Sequence, residues 1–120
     1  MFEHPLEERL FIFAKKVRNF CRNLKVDTGN IEDIKQLVRA SGSIGANYIE
    51  ANENTGKLDL KYRLKISRKE CKESIHFLGL VETFGSTELE NERNILIKEA
   101  NEIRKILSSI INKIEANNNK

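Results

Sequence analysis

Tryptophan is absent, proline occurs once and cysteine twice in the 120 residues. Each scarcity excludes a class of protein. Cys21 and Cys71 stand fifty residues apart, so they cannot build the dense disulfide framework of a small secreted domain. Neither sits in a CxxC or paired metal-ligand spacing. One proline and six glycines exclude collagen-like and proline-rich disordered chains. Long apolar runs are missing too. The N-terminal run Leu10-Phe11-Ile12-Phe13-Ala14 falls far short of the about 20 residues of a membrane span. It follows Glu3, Glu7 and Glu8, where a signal peptide would carry cations. Buried, reduced thiols and no leader predict a cytoplasmic protein that does not enter a membrane.

What remains is aliphatic and charged. With 32% charged and 39% hydrophobic residues, the composition suits a well-solvated helical protein with a Leu, Ile and Val core. The formal net charge of +3 is too small to imply nucleic acid by itself. The length predicts one domain over residues 1–120, able to bury roughly 65% of its unfolded surface without staples.

Three clusters of turn residues divide the chain: Asp27-Thr28-Gly29-Asn30, Asn52-Glu53-Asn54-Thr55-Gly56 and Phe84-Gly85-Ser86-Thr87. Four segments of helical period lie between them, and no stretch alternates with period two for long. The first runs from about Pro5, suited to a first helical turn, to Leu24. Leu6, Leu10, Phe13, Val17, Phe20 and Leu24 make its apolar face. The second runs from about Ile31 to Ala51, with Asn30 as N-cap. The third runs from about Leu58 to Phe84, with Gly85 as the residue that ends it. The fourth opens on the capping-box pattern Thr87-Glu88-Leu89-Glu90, with Ile95, Ile103, Ile106, Ile110 and Ile114 as its core face. The tail is expected to be flexible from about residue 116. Short loops between amphipathic helices predict an all-α, up-down-up-down antiparallel four-helix bundle.

Two features exceed what a bundle needs. Ala40-Ser41-Gly42-Ser43-Ile44-Gly45-Ala46 places small residues in the middle of helix two, where each glycine costs about 1 kcal/mol relative to alanine. Close helix packing is the expected return. The third segment has two apolar arcs. Leu60, Leu64, Cys71, Ile75 and Leu78 form one; Tyr62, Ile66, Phe77, Leu80 and Phe84 form the other. With Phe11 and Ile12 of the first segment, the second arc predicts an interface between subunits, at Phe11, Ile12, Ile66, Phe77 and Phe84.

The segment Val38-Arg39-Ala40-Ser41-Gly42-Ser43-Ile44-Gly45-Ala46-Asn47-Tyr48-Ile49-Glu50-Ala51 resembles the central signature of the 23S rRNA intervening-sequence family of four-helix-bundle proteins. Members typically read Arg-x-Ser-x-Ser-Ile-x-x-Asn-Ile-x-Glu followed by Gly or Ala. Asp59, Leu64, Ile66, Lys69-Glu70, Glu73 and Leu78 resemble the family's following helix. The two blocks span about forty residues in order. The chain departs where many members carry Trp, near His76-Phe77 and near the N-terminus. The resemblance implies a left-handed bundle that assembles as a ring-like homopentamer, with no enzymatic activity. It also implies kinship with accessory proteins of the reverse transcriptases of diversity-generating retroelements.

Cations are unevenly distributed. Lys15, Lys16, Arg18, Arg22 and Lys25 fall in residues 13–25 without an acid, and residues 57–72 carry a net +5. Lys61, Lys65, Arg68 and Lys72 share one stripe of helix three, and Arg18, Arg22 and Lys25 share one of helix one. Lys15, Arg18, Arg22, Lys25, Lys61, Lys65, Arg68 and Lys72 are therefore the candidate phosphate-binding residues. Asn47, Glu50, Glu70 and Glu73 suit a polar network that fixes helix register, with Arg39 or Lys69 as partner. Glu73-Ser74-Ile75-His76 has the Glu-x-x-His spacing of di-iron bundles, but a second such motif is missing. Arg68 precedes His76 by too much for the Arg-x4–6-His pattern of HEPN-type ribonucleases. No serine or cysteine has a histidine at helical spacing. The sequence thus predicts a non-enzymatic homo-oligomer with no cofactor and no metal. Its expected partners are copies of itself and RNA or a reverse transcriptase. The alternative is a protein-binding scaffold without nucleic-acid affinity.

Overall fold

The computed structural model describes residues 2–53 and 56–118. Four helices follow one another: α1 Pro5–Arg22, α2 Thr28–Asn52, α3 Lys57–Leu80 and α4 Thr87–Asn118. They form the expected up-down-up-down bundle. Each helix packs on its two neighbours, α1 with α2 and α4, α3 with α2 and α4, so α1 and α3 lie on a diagonal. The α2/α3 seam is the most extensive and the α1/α4 seam the loosest.

The core takes one stripe from each helix: Leu10, Phe13, Val17 and Phe20; Leu37 and Ile44; Leu64 and Leu78; Ile103, Leu107 and Ile111. Buried hydroxyls and a thiol stitch the seams. Ser67 Oγ donates to the Ile44 carbonyl at 2.8 Å, and Cys71 Sγ to the Ala100 carbonyl at 3.1 Å. These bonds satisfy groups that would otherwise be costly to bury.

Several helix details differ from the sequence expectation. Helix α2 begins earlier, because Asp27 is its N-cap and its carboxylate accepts the Asn30 N–H at 2.8 Å. Asn30 is buried in the first turn and serves the opposite end of the chain. Its amide donates to the carbonyls of Lys25 and Glu82 and accepts the Glu82 N–H. Helix α3 stops at Leu80, short of Phe84. The Arg93 guanidinium donates to the carbonyls of Leu78, Gly79 and Val81, which satisfies the helix end there. Gly85 is left-handed as expected, at φ 81°, but in the connection to α4. Phe84 is left-handed too, at φ 52°, a conformation that costs a bulky residue about 1–3 kcal/mol. Ser86 caps α4 by accepting the Leu89 N–H, while Glu90 takes the Thr83 hydroxyl and Arg93.

On α4 the core row is Leu96, Ala100, Ile103, Leu107 and Ile111. Ile95 is 65% exposed, and Ile106, Ile110 and Ile114 are half-buried. Ile103 lies in that row as expected and Ile110 and Ile114 pack against the core, but Leu96, Ala100 and Leu107 hold three of the row's five positions, so the isoleucines alone trace it incompletely. Helix α2 is unbroken through its small residues. Ala40, Ser41 and Ile44 are buried, whereas Gly42, Gly45 and Ala46 line an open groove. A Cβ at Gly45 would meet Leu10 Cβ at an ordinary 3.6 Å, so the close packing of this stretch lies on its α3 side, where Ser67 bonds the Ile44 carbonyl, and not at Gly45. Helix α4 continues through Asn117 and Asn118, beyond the expected start of the tail. Asn119 and Lys120 lie outside the described residues, as do Asn54 and Thr55 of the second turn cluster.

Asn30→Ala should destabilise the bundle by about 1–3 kcal/mol, because buried backbone groups of the α3–α4 connection lose their partner. The urea midpoint measures it; a midpoint equal to the parent's would show that the connection is held without Asn30.

Candidate nucleic-acid interface

The stripe Lys61, Lys65, Arg68 and Lys72 lies along α3, and its middle faces α4. Arg68 donates to Ser108 Oγ at 3.3 Å, and Lys65 Nζ stands 3.9 Å from Glu115 Oε1. On α4 the neighbouring surface is Arg104, Lys105, Ser108, Ser109, Asn112 and Lys113, which line a shallow depression of about 450 Å³. The α3/α4 face thus joins cations from two helices with hydroxyl and amide donors between them. Such donors suit phosphate and sugar oxygens. Arg104, Lys105 and Lys113 escaped the sequence reading. Their signal was their recurrence on the side of α4 that carries Ser108, Ser109 and Asn112, and it is weak without knowing which helix is adjacent.

The cations of α1 lie elsewhere. Lys15 and Arg18 line the α1/α2 groove, and Arg22 borders a second depression further along the same two helices. Lys25 sits over the Phe84 ring, 5.0 Å from its centroid. Because α1 and α3 are diagonal, the two stripes form separate surfaces. The bundle measures 52 × 26 × 24 Å. One straight backbone cannot touch both.

The polar residues divide likewise. Arg39 on α2 reaches Glu70 at 3.1 Å and Glu73 at 3.0 Å on α3, a bridge across the largest seam. Glu70 is buried and Arg39 is half exposed. The pair therefore fixes register more than it stabilises. Asn47 donates to the Ser43 carbonyl and receives Arg63 at 3.5 Å, a long contact. Glu50 is exposed. Asn47 and Glu50 do not join the Arg39 bridge.

The five apolar candidates do not share one face. Phe11 is in the α1/α2 groove, its ring 5.2 Å from that of Phe2. Ile12 lies with Ile95 in a depression of about 250 Å³ on the α1/α4 seam. Ile66 is half-buried on α3, Phe77 packs against the core, and Phe84 is exposed in the α3–α4 connection.

Glu73 is held by Arg39, and the His76 ring stands edge-on to Phe77 at 5.0 Å. Among the described residues no three His, Cys, Asp or Glu side chains are grouped to hold a metal ion. Burial pushes the Cys21 thiol up to about 11 and the Cys71 thiol up to about 12. No described helix is long and apolar enough to cross a membrane.

Comparison with known proteins follows the same lines. A family model described as 23S rRNA-intervening sequence protein matches residues 8–109. A crystal structure of a protein of unknown function, from the S23 ribosomal protein family of Bacteroides thetaiotaomicron, superposes with a TM-score of 0.75. It shares 28% sequence identity, covering 88% of this chain and 97% of that one. Centromere protein S of Bos taurus is 39% identical over 57 residues, 48% of this chain. The chain spans about two fifths of that relative's length, 41%.

Because thiolate is the reactive form, both cysteines should resist a thiol reagent such as DTNB at pH 8 in the native protein and react promptly in denaturant. Rapid reaction of one thiol in the native state would restore a nucleophile reading.

Proposed function

The chain belongs to the 23S rRNA-intervening sequence protein family, and on that premise we propose that it is a non-enzymatic bundle that binds RNA through its α3/α4 face. The carrying observation is the union of Lys65, Arg68 and their stripe with Arg104, Lys105 and Lys113 across one seam, interspersed with Ser108 and Asn112. Cations in two parallel rows can follow a phosphate backbone and release its counterions. Tyr62, the exposed aromatic beside the stripe, has Arg63 over its ring at 6.0 Å, so recognition rests on phosphate charge more than on base stacking. The same chemistry serves RNA that is held by a template-using enzyme such as a reverse transcriptase. Two buried free thiols accord with a reducing, cytoplasmic setting.

The proposal includes self-association into a ring of five chains, the assembly that the resemblance implies. The loosest seam supports it: Ile12 and Ile95 leave apolar surface on α1/α4 that a second copy would cover. Repetition of the basic face around a ring raises avidity without any new contact.

Lys65→Glu with Arg68→Glu should weaken binding of a structured RNA and reduce the salt slope by about 1–2, at unchanged helicity. Arg18→Glu with Arg22→Glu should leave both nearly as in the parent, since those residues lie on the other diagonal helix. Filter binding across a salt series checks both. A parent that binds nothing at low salt would reject the RNA reading in favour of a protein scaffold.

Light scattering at micromolar concentration should give about five times the chain mass of 13.9 kDa. Ile12→Asp with Ile95→Asp should lower it. A monomeric parent would refute the ring.

A further inference from the structure

The face opposite the basic α3/α4 surface has a different chemistry. Between α1 and α2 runs a groove of about 410 Å³ walled by Leu10, Phe11, Ala14 and Ile49, with Gly42, Gly45 and Ala46 along its α2 side. Phe11 is 44% and Ile49 42% exposed at its edges. The absence of side chains at Gly42 and Gly45 keeps it open. A Cβ at Gly42 would come within 3.1 Å of the Arg18 guanidinium, which lies across the helix there. Beyond Arg18 the surface continues as a second depression of about 350 Å³, lined by Leu24, Val26, Ile34 and Val38. Arg18 borders both. From Leu10 to Arg22 the helical wall extends about 18 Å, a little over three helical turns.

The charges inside this apolar trough are cationic at its centre. Arg18 donates to the Ala14 carbonyl at 3.1 Å, and among the described residues no carboxylate pairs with it. Lys15 and Arg22 flank it, and Glu7 stands only at the far end. A nucleic acid gains little from apolar walls. A helix with an apolar stripe fills them, and a carboxylate midway along the stripe would meet Arg18 with a charge-assisted bond.

We infer that the α1/α2 groove docks an amphipathic helix of another protein, one that carries carboxylates at the middle of its apolar face. Among the described residues the chain offers no good occupant. The exposed apolar residues of α3 are Leu58, Tyr62 and Leu80; the first two sit among Lys61, Arg63 and Lys65, which repel the groove's cations, and Leu80 is a lone anchor at the helix end. The outward row of α4 has the acids Glu88 and Glu92 but a single exposed anchor, Ile95, where docking in a groove needs several at helical spacing. The inference goes beyond RNA binding and uses residues on the opposite diagonal.

The probe is a fluorescein-labelled, helix-favouring peptide of about 18 residues, with leucines at i, i+3, i+4 and i+7 spacing and two central glutamates. Its twin replaces the glutamates with lysines. Fluorescence anisotropy on the full chain should show the glutamate peptide binding at least about tenfold more tightly than its twin. Arg18→Glu should invert that preference. Ala46→Trp, at an exposed position, should fill the groove and abolish binding while circular dichroism stays that of the parent. Lys65→Glu with Arg68→Glu should leave peptide binding unchanged, which separates this site from the RNA face. Equal binding of the twins, no binding of either, or full binding to the Ala46→Trp variant would overturn the inference. So would displacement of the peptide by RNA. A fall in the parent's mass by light scattering on adding peptide, reproduced by Ala46→Trp alone, would assign the groove to a second copy instead.

Discussion

Helix α2 leans on α3, and the distribution of surfaces follows from that preference. Ala40, Ser41 and Ile44 on one helix and Ser67, Cys71 and Ser74 on the other are all buried, and most are small. Small residues let the two backbones approach, and the Ser67 hydroxyl reaches the Ile44 carbonyl across the seam. Arg39 then ties α2 to Glu70 and Glu73 at the surface. An α2 drawn toward α3 leaves less of itself for α1. The large side chains Leu10, Phe13, Val17 and Phe20 still fill the centre, but the outer α1/α2 margin stays open as a groove.

The loose side is held by electrostatics where packing is thin. Arg9 on α1 forks onto Glu99 at 2.7 and 2.8 Å and reaches Glu102 at 2.9 Å on α4. The Arg9 hydrogen bonds hold the Glu99 carboxyl below the usual carboxylate range. A depressed carboxyl contributes stability that is present above its unfolded value and is lost as pH falls through the folded value. The α1/α4 seam therefore loses stability in acid. The end near Asn30 and Arg93 is held differently, by side chains that satisfy backbone groups of the α3–α4 connection. That lock tolerates the left-handed Phe84, whose ring rests under Lys25.

Separation of charge is the functional consequence. Apart from Lys25, which lies just past the end of α1, every lysine and arginine that the sequence grouped by spacing is on a helix, yet the two groups belong to diagonal helices. One group meets the cations and hydroxyls of α4 and makes a broad polar face suited to phosphates. The other borders apolar walls, where the same charges suit a carboxylate presented by a hydrophobic partner. Identical residue types thus support two recognition chemistries, and the neighbours decide which.

Periodicity determined the helix count, the connection sites and the core rows of α1 and α3, because a buried stripe must repeat every three or four residues. The Ser-Gly-Ser-Ile and Lys-Glu blocks determined the family, and Arg39 with Glu70 and Glu73 was legible as a network from residue type and spacing. Other matters needed the assembled bundle. Asn30 reads as a cap in a turn cluster; only the fold brings Glu82 to it. The end of α3 depended on Arg93, thirteen residues beyond Leu80. The α4 row depended on which neighbours the helix faces, since Ile95 and Leu96 are equally apolar in sequence. Whether cations on α1 and α3 add or stand apart is a question of helix adjacency. Spacing along one helix carries no information about the helix beside it, and that relation was set by how the four helices pack.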